Sequence, residues 1–157
     1  MTDFGELYRD HAPDLFRFAL YLCGDRGEAE EITAETFVRA WTAPGPIRMA
    51  TVKGYLFTIA RHLFLKARQR RSRQVELDDT LHDPRPGPQA AAEQDSELRA
   101  VLAALQKLPE VDRAALLMRA GGEMPYEEIA RALGISLAAV KVKIHRARLA
   151  LAHIRDA

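Results

Sequence analysis

Apolar residues recur at three- and four-residue intervals along most of the chain, and no segment alternates β-branched with polar residues over a strand's length. The pattern predicts helices and no strands. Three fall in the first half. The first covers about Phe4 to Leu22, with Leu7, Leu15, Phe18 and Leu22 inward and a bend or restart at Pro13. Asp25 caps the second, which runs to about Trp41 with Ala29, Ile32, Phe37 and Ala40 inward. "TAPGPIRMA" then interrupts, and Thr51 caps a third helix running to about Arg73, whose core stripe is Leu56, Ile59, Ala60, Leu63 and Ala67.

Gln74 to Asp95, "QVELDDTLHDPRPGPQAAAEQD", breaks the rhythm with three prolines, one glycine and few large apolar residues, and reads as a linker. Beyond it a helix from about Ser96 to Lys107 stops at Leu108-Pro109, and the next runs from about Glu110 to Ala120 before Gly121-Gly122. "PYEEIARAL" is a short helix with Tyr126, Ile129, Ala130 and Leu133 inward. Gly134 suits a left-handed turn and Ser136 an N-cap for the last helix. There Leu137, Val140, Ile144, Ala147 and Leu151 share one face. The expected fold class is all-α, two small helical domains (1–73 and 96–157) joined by a flexible acidic linker (74–95).

A length of 157 residues, 48% of them hydrophobic and 29% charged, fits such an arrangement. The opening "MTDFGELYRD" is acidic and lacks the apolar stretch of a secretory signal, and no apolar run approaches a membrane span. A single cysteine, Cys23, excludes an internal disulfide and suits a reducing cytoplasm, the expected location.

The net charge of +1 conceals strong segregation. Residues 1–46 carry a net −5, residues 47–75 +8, residues 76–97 −6, residues 98–130 −1 and residues 131–157 +5. Two basic zones within a nearly neutral chain point to two contacts with one polyanion. In the last helix, behind a short helix and a glycine turn, the outer strip contains Lys141, Val142, His145, Arg146 and Leu149, which is the layout of a DNA-reading helix-turn-helix. A solvated cationic hairpin and a membrane-surface helix fit the same cations, although the outer face lacks bulky inserting residues. In the third helix Lys53, Phe57, Arg61, Phe64, Arg68 and Arg71 interleave cations with aromatic rings, as single-stranded nucleic acid requires. Alternatively, Phe57 and Phe64 simply widen the core.

"AEEITAETFVRAW", "GYLFTIARHLFLKARQRR", "LPEVDRAALLMR" and "PYEEIARALGISLAAVKVKIHRARLAL" resemble, in order and spacing, the extracytoplasmic-function sigma factors of bacterial RNA polymerase. The resemblance implies a sigma two domain that binds the clamp of the polymerase largest subunit and captures melted −10 DNA. It also implies a sigma four domain that rests on the flap and reads −35 duplex, with an anti-sigma factor as a further partner. It assigns clamp binding to Glu31 and Glu35, and −10 contacts to His62 and Lys66, with Lys53 and Arg61 as cations of the same helix. For the −35 element it matches Lys141, Val142, His145 and Arg146 to base-reading positions, and gives Lys143 and Arg148 to phosphates. His62 stands in place of the family's usual asparagine, and Val142 and Ala139 in place of a frequent serine and threonine, so promoter sequence does not follow.

Two other function classes meet the same sequence. A free-standing repressor would use the helix-turn-helix as a dimer on two half-sites, but no dimerisation helix is marked and the first half is left without a role. For an enzyme, Cys23 and the histidines at 11, 62, 82, 145 and 153 show no zinc-ligand spacing, and no phosphate loop or nucleophile motif appears. No catalysis, metal or cofactor is expected.

Overall fold

The computed structural model describes residues 3–43, 51–77 and 96–155. Seven helices account for them: α1 (Phe4–Cys23), α2 (Arg26–Thr42), α3 (Val52–Leu77), α4 (Ser96–Gln106), α5 (Glu110–Ala120), α6 (Tyr126–Leu133) and α7 (Leu137–Arg155). The predicted caps form. Asp25 accepts from the Gly27 amide at 3.0 Å, Thr51 Oγ1 from Gly54 at 2.9 Å and Ser136 Oγ from Ala139 at 3.1 Å. Each satisfies one of the amides that a helix start leaves without a partner. Gly134 closes α6 at φ 67°, a left-handed conformation that costs glycine little.

Helices α1, α2 and α3 pack on one another, and α5, α6 and α7 do the same. The halves are not separate globules. Helix α1 also packs on α4 and α5, and α3 on α5, so the buried side chains form one continuous core from Leu15 to Ala147. Phe18 of α1 stacks on Phe57 of α3 with ring centroids 4.2 Å apart. Phe57 in turn presses on the second half at Gly122, where an added Cβ would stand 2.7 Å from the Met118 carbonyl and 3.0 Å from the ring.

Three expectations change. Helix α1 runs unbroken through Pro13. That residue is exposed, so the carbonyl left without its donor one turn earlier is on the solvent side, while Leu15, Phe18, Ala19 and Leu22 hold the inner face. Of the two readings left open for Phe57 and Phe64, burial selects the core: they are 1% and 4% exposed. Helix α3 is covered on two sides, by α1 and α2 and by α5, so its apolar face is broader than one stripe. Leu137 was expected inward but is 37% exposed; as the first residue of α7 it stands where the packed stripe runs out. Helix α3 also continues past Arg73 to Leu77, while the loop at 44–50 and the linker residues 78–95 lie outside the described residues.

The halves are pinned by charge as well. Arg61 of α3 donates from Nε to Glu110 Oε2 at 2.9 Å and from Nη2 to Oε1 at 2.7 Å, with both side chains nearly buried. Breaking a buried pair leaves the other charge uncompensated, whereas replacing both partners by apolar groups is often neutral. Glu110→Gln should therefore lower unfolding free energy by about 2–3 kcal/mol. In the double variant Arg61→Met, Glu110→Met more than half of that loss should return, as read by urea denaturation of all three proteins. A double variant no more stable than the single one would show that the loss is not the cost of an uncompensated charge.

Candidate nucleic-acid interface

Helix α7 buries Val140, Ile144 and Ala147 completely or nearly so, and that choice determines what it shows outward. Lys141, Val142, His145, Arg146, Arg148 and Leu149 are exposed and Lys143 is half-buried. Val142 at 59% and Leu149 at 58% are among the most exposed large apolar residues of the described chain. A short helix, a left-handed glycine, a serine cap and a longer helix with a cationic outer face are thus all present in order. Among the described residues, no helix is long and apolar enough to cross a membrane, and no three His, Cys, Asp or Glu side chains are grouped to hold a metal ion.

Arg146 and Lys143, assigned on sequence to a base and a phosphate, converge on the same carboxylate. Arg146 donates from Nε to Asp112 Oδ2 at 2.8 Å and from Nη2 to Oδ1 at 3.0 Å, and Lys143 Nζ reaches Oδ1 at 3.3 Å. Asp112 is 1% exposed on α5. The Arg146 fork, followed by burial acting in the opposite direction and then by Lys143, leaves its carboxyl below the usual carboxylate range. Sequence reading missed Asp112 because it lies 34 positions from Arg146 and belongs to no periodic pattern.

The other basic zone divides in two. His62 and Lys66 are exposed on α3 and, with Arg39, Tyr55 and Ile59, line a cleft of about 390 Å³ between α2 and α3. Burial, then Arg61 and then Lys66, lower the His62 pKa from its ordinary 6.5, which favours a neutral ring with one donor and one acceptor nitrogen. Three other cations of this zone face carboxylates. Lys53 Nζ is 2.8 Å from Asp14, Arg71 pairs with Glu28, and Arg61 is 8% exposed against Glu110. The structure therefore brings His62 and Lys66 to the surface together and withdraws Arg61.

Glu31 and Glu35 are exposed one turn apart on α2, with Glu35 also accepting from Arg39 Nε at 3.2 Å. Val38 and Trp41, further along this helix, are 51% and 53% exposed, and Trp41 makes an edge contact with Phe4 at 5.3 Å. These two were absent from the sequence-based site; an apolar pair near an acidic strip shows only once burial is known. Cys23, by contrast, is partly buried, and burial pushes its thiol up to about 12, which makes it a poor nucleophile.

Known proteins resemble the chain across both halves. Residues 7–74 match the Sigma-70 region 2 family and residues 98–151 the Sigma-70 region 4 family. The ECF RNA polymerase sigma factor SigE of Mycolicibacterium smegmatis is 37% identical over 94% of this chain, which spans 60% of that relative's length. SigL of Mycobacterium tuberculosis H37Rv is 32% identical, over 92% of this chain and 84% of its own. Among solved structures, the sigma factor RpoE bound to the anti-sigma factor NepR from Bartonella quintana superposes with a TM-score of 0.82 at 25% identity, covering 99% of this chain and 98% of that one. CnrH bound to the cytosolic domain of CnrY gives 0.69 at 28% identity, covering 98% and 87%.

The Asp112 pairing has a pH signature. A carboxyl whose folded pKa lies below its unfolded value of about 3.9 stabilises the fold fully above that value and loses the contribution as pH falls through the folded pKa. Asp14, held down first by Lys53, acts in the same direction. Urea midpoints should therefore decline as pH is lowered from about 5 to 2. Asp112→Asn should start lower at neutral pH and decline less steeply, so that the two curves approach each other. Parallel curves would remove Asp112 from the account.

Proposed function

The chain belongs to the extracytoplasmic-function (ECF) RNA polymerase sigma factors, and we propose that it acts as an alternative sigma factor directing promoter-specific transcription initiation in the cytoplasm, without catalysis of its own. The observation that carries this reading is the outer face of α7. Six exposed residues, three of them cationic and two of them bulky and apolar, project from a capped helix in a helix-turn-helix. Val142 suits a thymine methyl, His145 and Arg146 suit base edges, and Lys141, Lys143 and Arg148 add charge for the bases' flanks and phosphates of a −35 duplex.

Melted −10 DNA is the ligand that best suits α3. His62 and Lys66 stand at a cleft wide enough to take part of an unstacked nucleotide, and Lys53 and the end of the helix supply charge for its backbone. Arg61 joins them only where a phosphate replaces Glu110. On α2, Glu31 and Glu35 with the apolar Val38 and Trp41 suit a docking face for the polymerase clamp, and sigma four would rest on the flap. The solved relative RpoE, bound to the anti-sigma factor NepR, supports a partner of that class here. The domain limits that fit these roles are 1–73 for sigma two, 74–95 for the linker and 96–157 for sigma four.

Purified chain added to core polymerase should yield specific start sites on a genomic DNA library, and no specific start sites would refute the reading. A sequence-specific dimer of the free protein on a palindrome would favour a repressor instead. Reversing Glu31 and Glu35 to lysine should abolish co-purification with core polymerase while helical circular dichroism stays unchanged. Replacing His62 and Lys66 by alanine should impair promoter opening more than closed-complex formation. A pre-melted bubble template should restore most of that loss if melting is the affected step. An equal loss of closed complexes would contradict the division between the two basic zones.

A further inference from the structure

We infer that Asp112 is a positioning residue for −35 recognition: from inside the domain it holds one edge of the Arg146 guanidinium and so aims the other edge at a guanine in the major groove. The inference rests on the reading of α7 as the duplex-facing helix. Three observations carry it. The first is which atoms are engaged. A guanidinium offers five N–H groups on two usable edges, the side edge of Nε with one Nη and the end edge of both Nη atoms. Asp112 takes the side edge, accepting from Nε at 2.8 Å and from Nη2 at 3.0 Å. Three N–H donors remain, and the two parallel ones on the end edge match the O6 and N7 acceptors of guanine.

The second observation is the difference in exposure across this pair. Asp112 is 1% exposed while the Arg146 side chain is 57% exposed. The carboxylate therefore sits too deep to meet DNA itself, and the guanidinium projects from it toward solvent beside Val142, one turn away on α7. The third is rotational freedom. A long arginine on a helix surface gives up considerable side-chain entropy when it binds a base; one already forked to a rigid partner has given up much of it in folding. Lys143, on the same Oδ1 at 3.3 Å, gives the carboxylate a second cation in the free protein.

A merely structural aspartate and a positioning aspartate predict different things for Asp112→Asn. The asparagine is of equal size, presents one carbonyl oxygen in place of two, and turns an amide donor toward Arg146 or Lys143. It also removes a negative charge near the interface. For a positioning role, holoenzyme carrying this variant should lose preference for guanine at one −35 position by roughly fivefold or more. Affinity for promoterless duplex should meanwhile hold steady or rise, since one opposing charge has gone. Asp112→Glu, which retains a two-oxygen acceptor, should keep part of the preference.

The experiment is selection from a library randomised across the −35 element, using holoenzyme with the wild-type chain, Asp112→Asn, Asp112→Glu and Arg146→Ala. Loss of one guanine preference in both Arg146→Ala and Asp112→Asn supports the inference. Loss in Arg146→Ala with full retention in Asp112→Asn overturns it and leaves the base-reading role of Arg146 standing. No position-specific change in Arg146→Ala refutes that role, and the inference with it. An even loss at every position and on promoterless DNA in Asp112→Asn makes Asp112 structural only. A measurement on the unaltered chain guards against a variant that folds poorly. The Arg146 Nε–H resonance should be sharp and slow to exchange with water in the free protein, and averaging like that of an unattached surface arginine would overturn the inference.

Discussion

Three charged side chains in the first turn of α5, two buried and one nearly so, set the terms for the rest of the structure. Within the run Glu110-Val111-Asp112-Arg113, each charge leaves water and each must find a partner, since a lone buried charge costs several kcal/mol. They find them in three directions. Glu110 faces Arg61 of α3, and Asp112 faces Arg146 and Lys143 of α7. Arg113 donates to the Leu22 carbonyl at the end of α1, to Gln106 Oε1 at 2.9 Å and to the Leu108 carbonyl at 3.4 Å, with Phe64 under its guanidinium. Apolar packing alone would tolerate some sliding of these helices. Charge pairs with fixed forks do not, so this one turn fixes how α1, α3 and α7 stand relative to α5.

What was legible in the sequence is what local chemistry dictates. Helix starts at Asp25, Thr51 and Ser136 and the stop at Gly134 could be read because a cap and its amide lie within three residues of each other. The inward faces of α2 and most of α7 followed from a single stripe packed on a single side. Periodicity failed where an element is covered from two directions. Helix α3 alternates core residues facing its own half with Phe57 and Phe64 facing α5, and one stripe cannot represent both. It failed again for the ion pairs, because Arg61 and Glu110 are 49 positions apart and nothing local marks either as the other's partner. The exposed candidates Lys141, Val142 and His145 were read from the outer strip of a helix, and His62, Lys66 and Arg148 from the family resemblance; the carboxylates that hold Lys53, Arg61, Lys143 and Arg146 were not found.

The segregated charge acquires a physical meaning once these pairs are drawn. Residues 47–75 hold eight cations and no carboxylate, yet Lys53, Arg61 and Arg71 meet Asp14, Glu110 and Glu28, which come from acidic or neutral stretches elsewhere in the chain. Long-range pairing thus offsets the repulsion that the linear sequence concentrates. The pairs also differ in how readily a phosphate could replace the carboxylate. Lys53 and Asp14 are both partly exposed, so exchange there costs little desolvation, whereas Arg71 is exposed but would leave behind a Glu28 that is only 10% exposed. Arg61 and Glu110 are nearly buried together, so a DNA contact by Arg61 would have to repay an unpaired glutamate as well.

That difference ranks the residues of α3 for any polyanion that approaches the chain as it stands. His62 and Lys66 are presented without rearrangement, Lys53 by exchange of a surface partner, Arg71 by leaving a nearly buried glutamate, and Arg61 only by parting α3 from α5. The last step disturbs more than one ion pair, because Phe57 lies against Gly122 on the same side of α3 and Phe64 lies beneath Arg113. Helix α3 therefore carries two obligations on two faces. One face offers base-sized space beside a neutral imidazole, and the other is part of the core that joins the halves. A residue's place on one or the other face of α3, more than its charge, determines whether it is available to DNA in this arrangement.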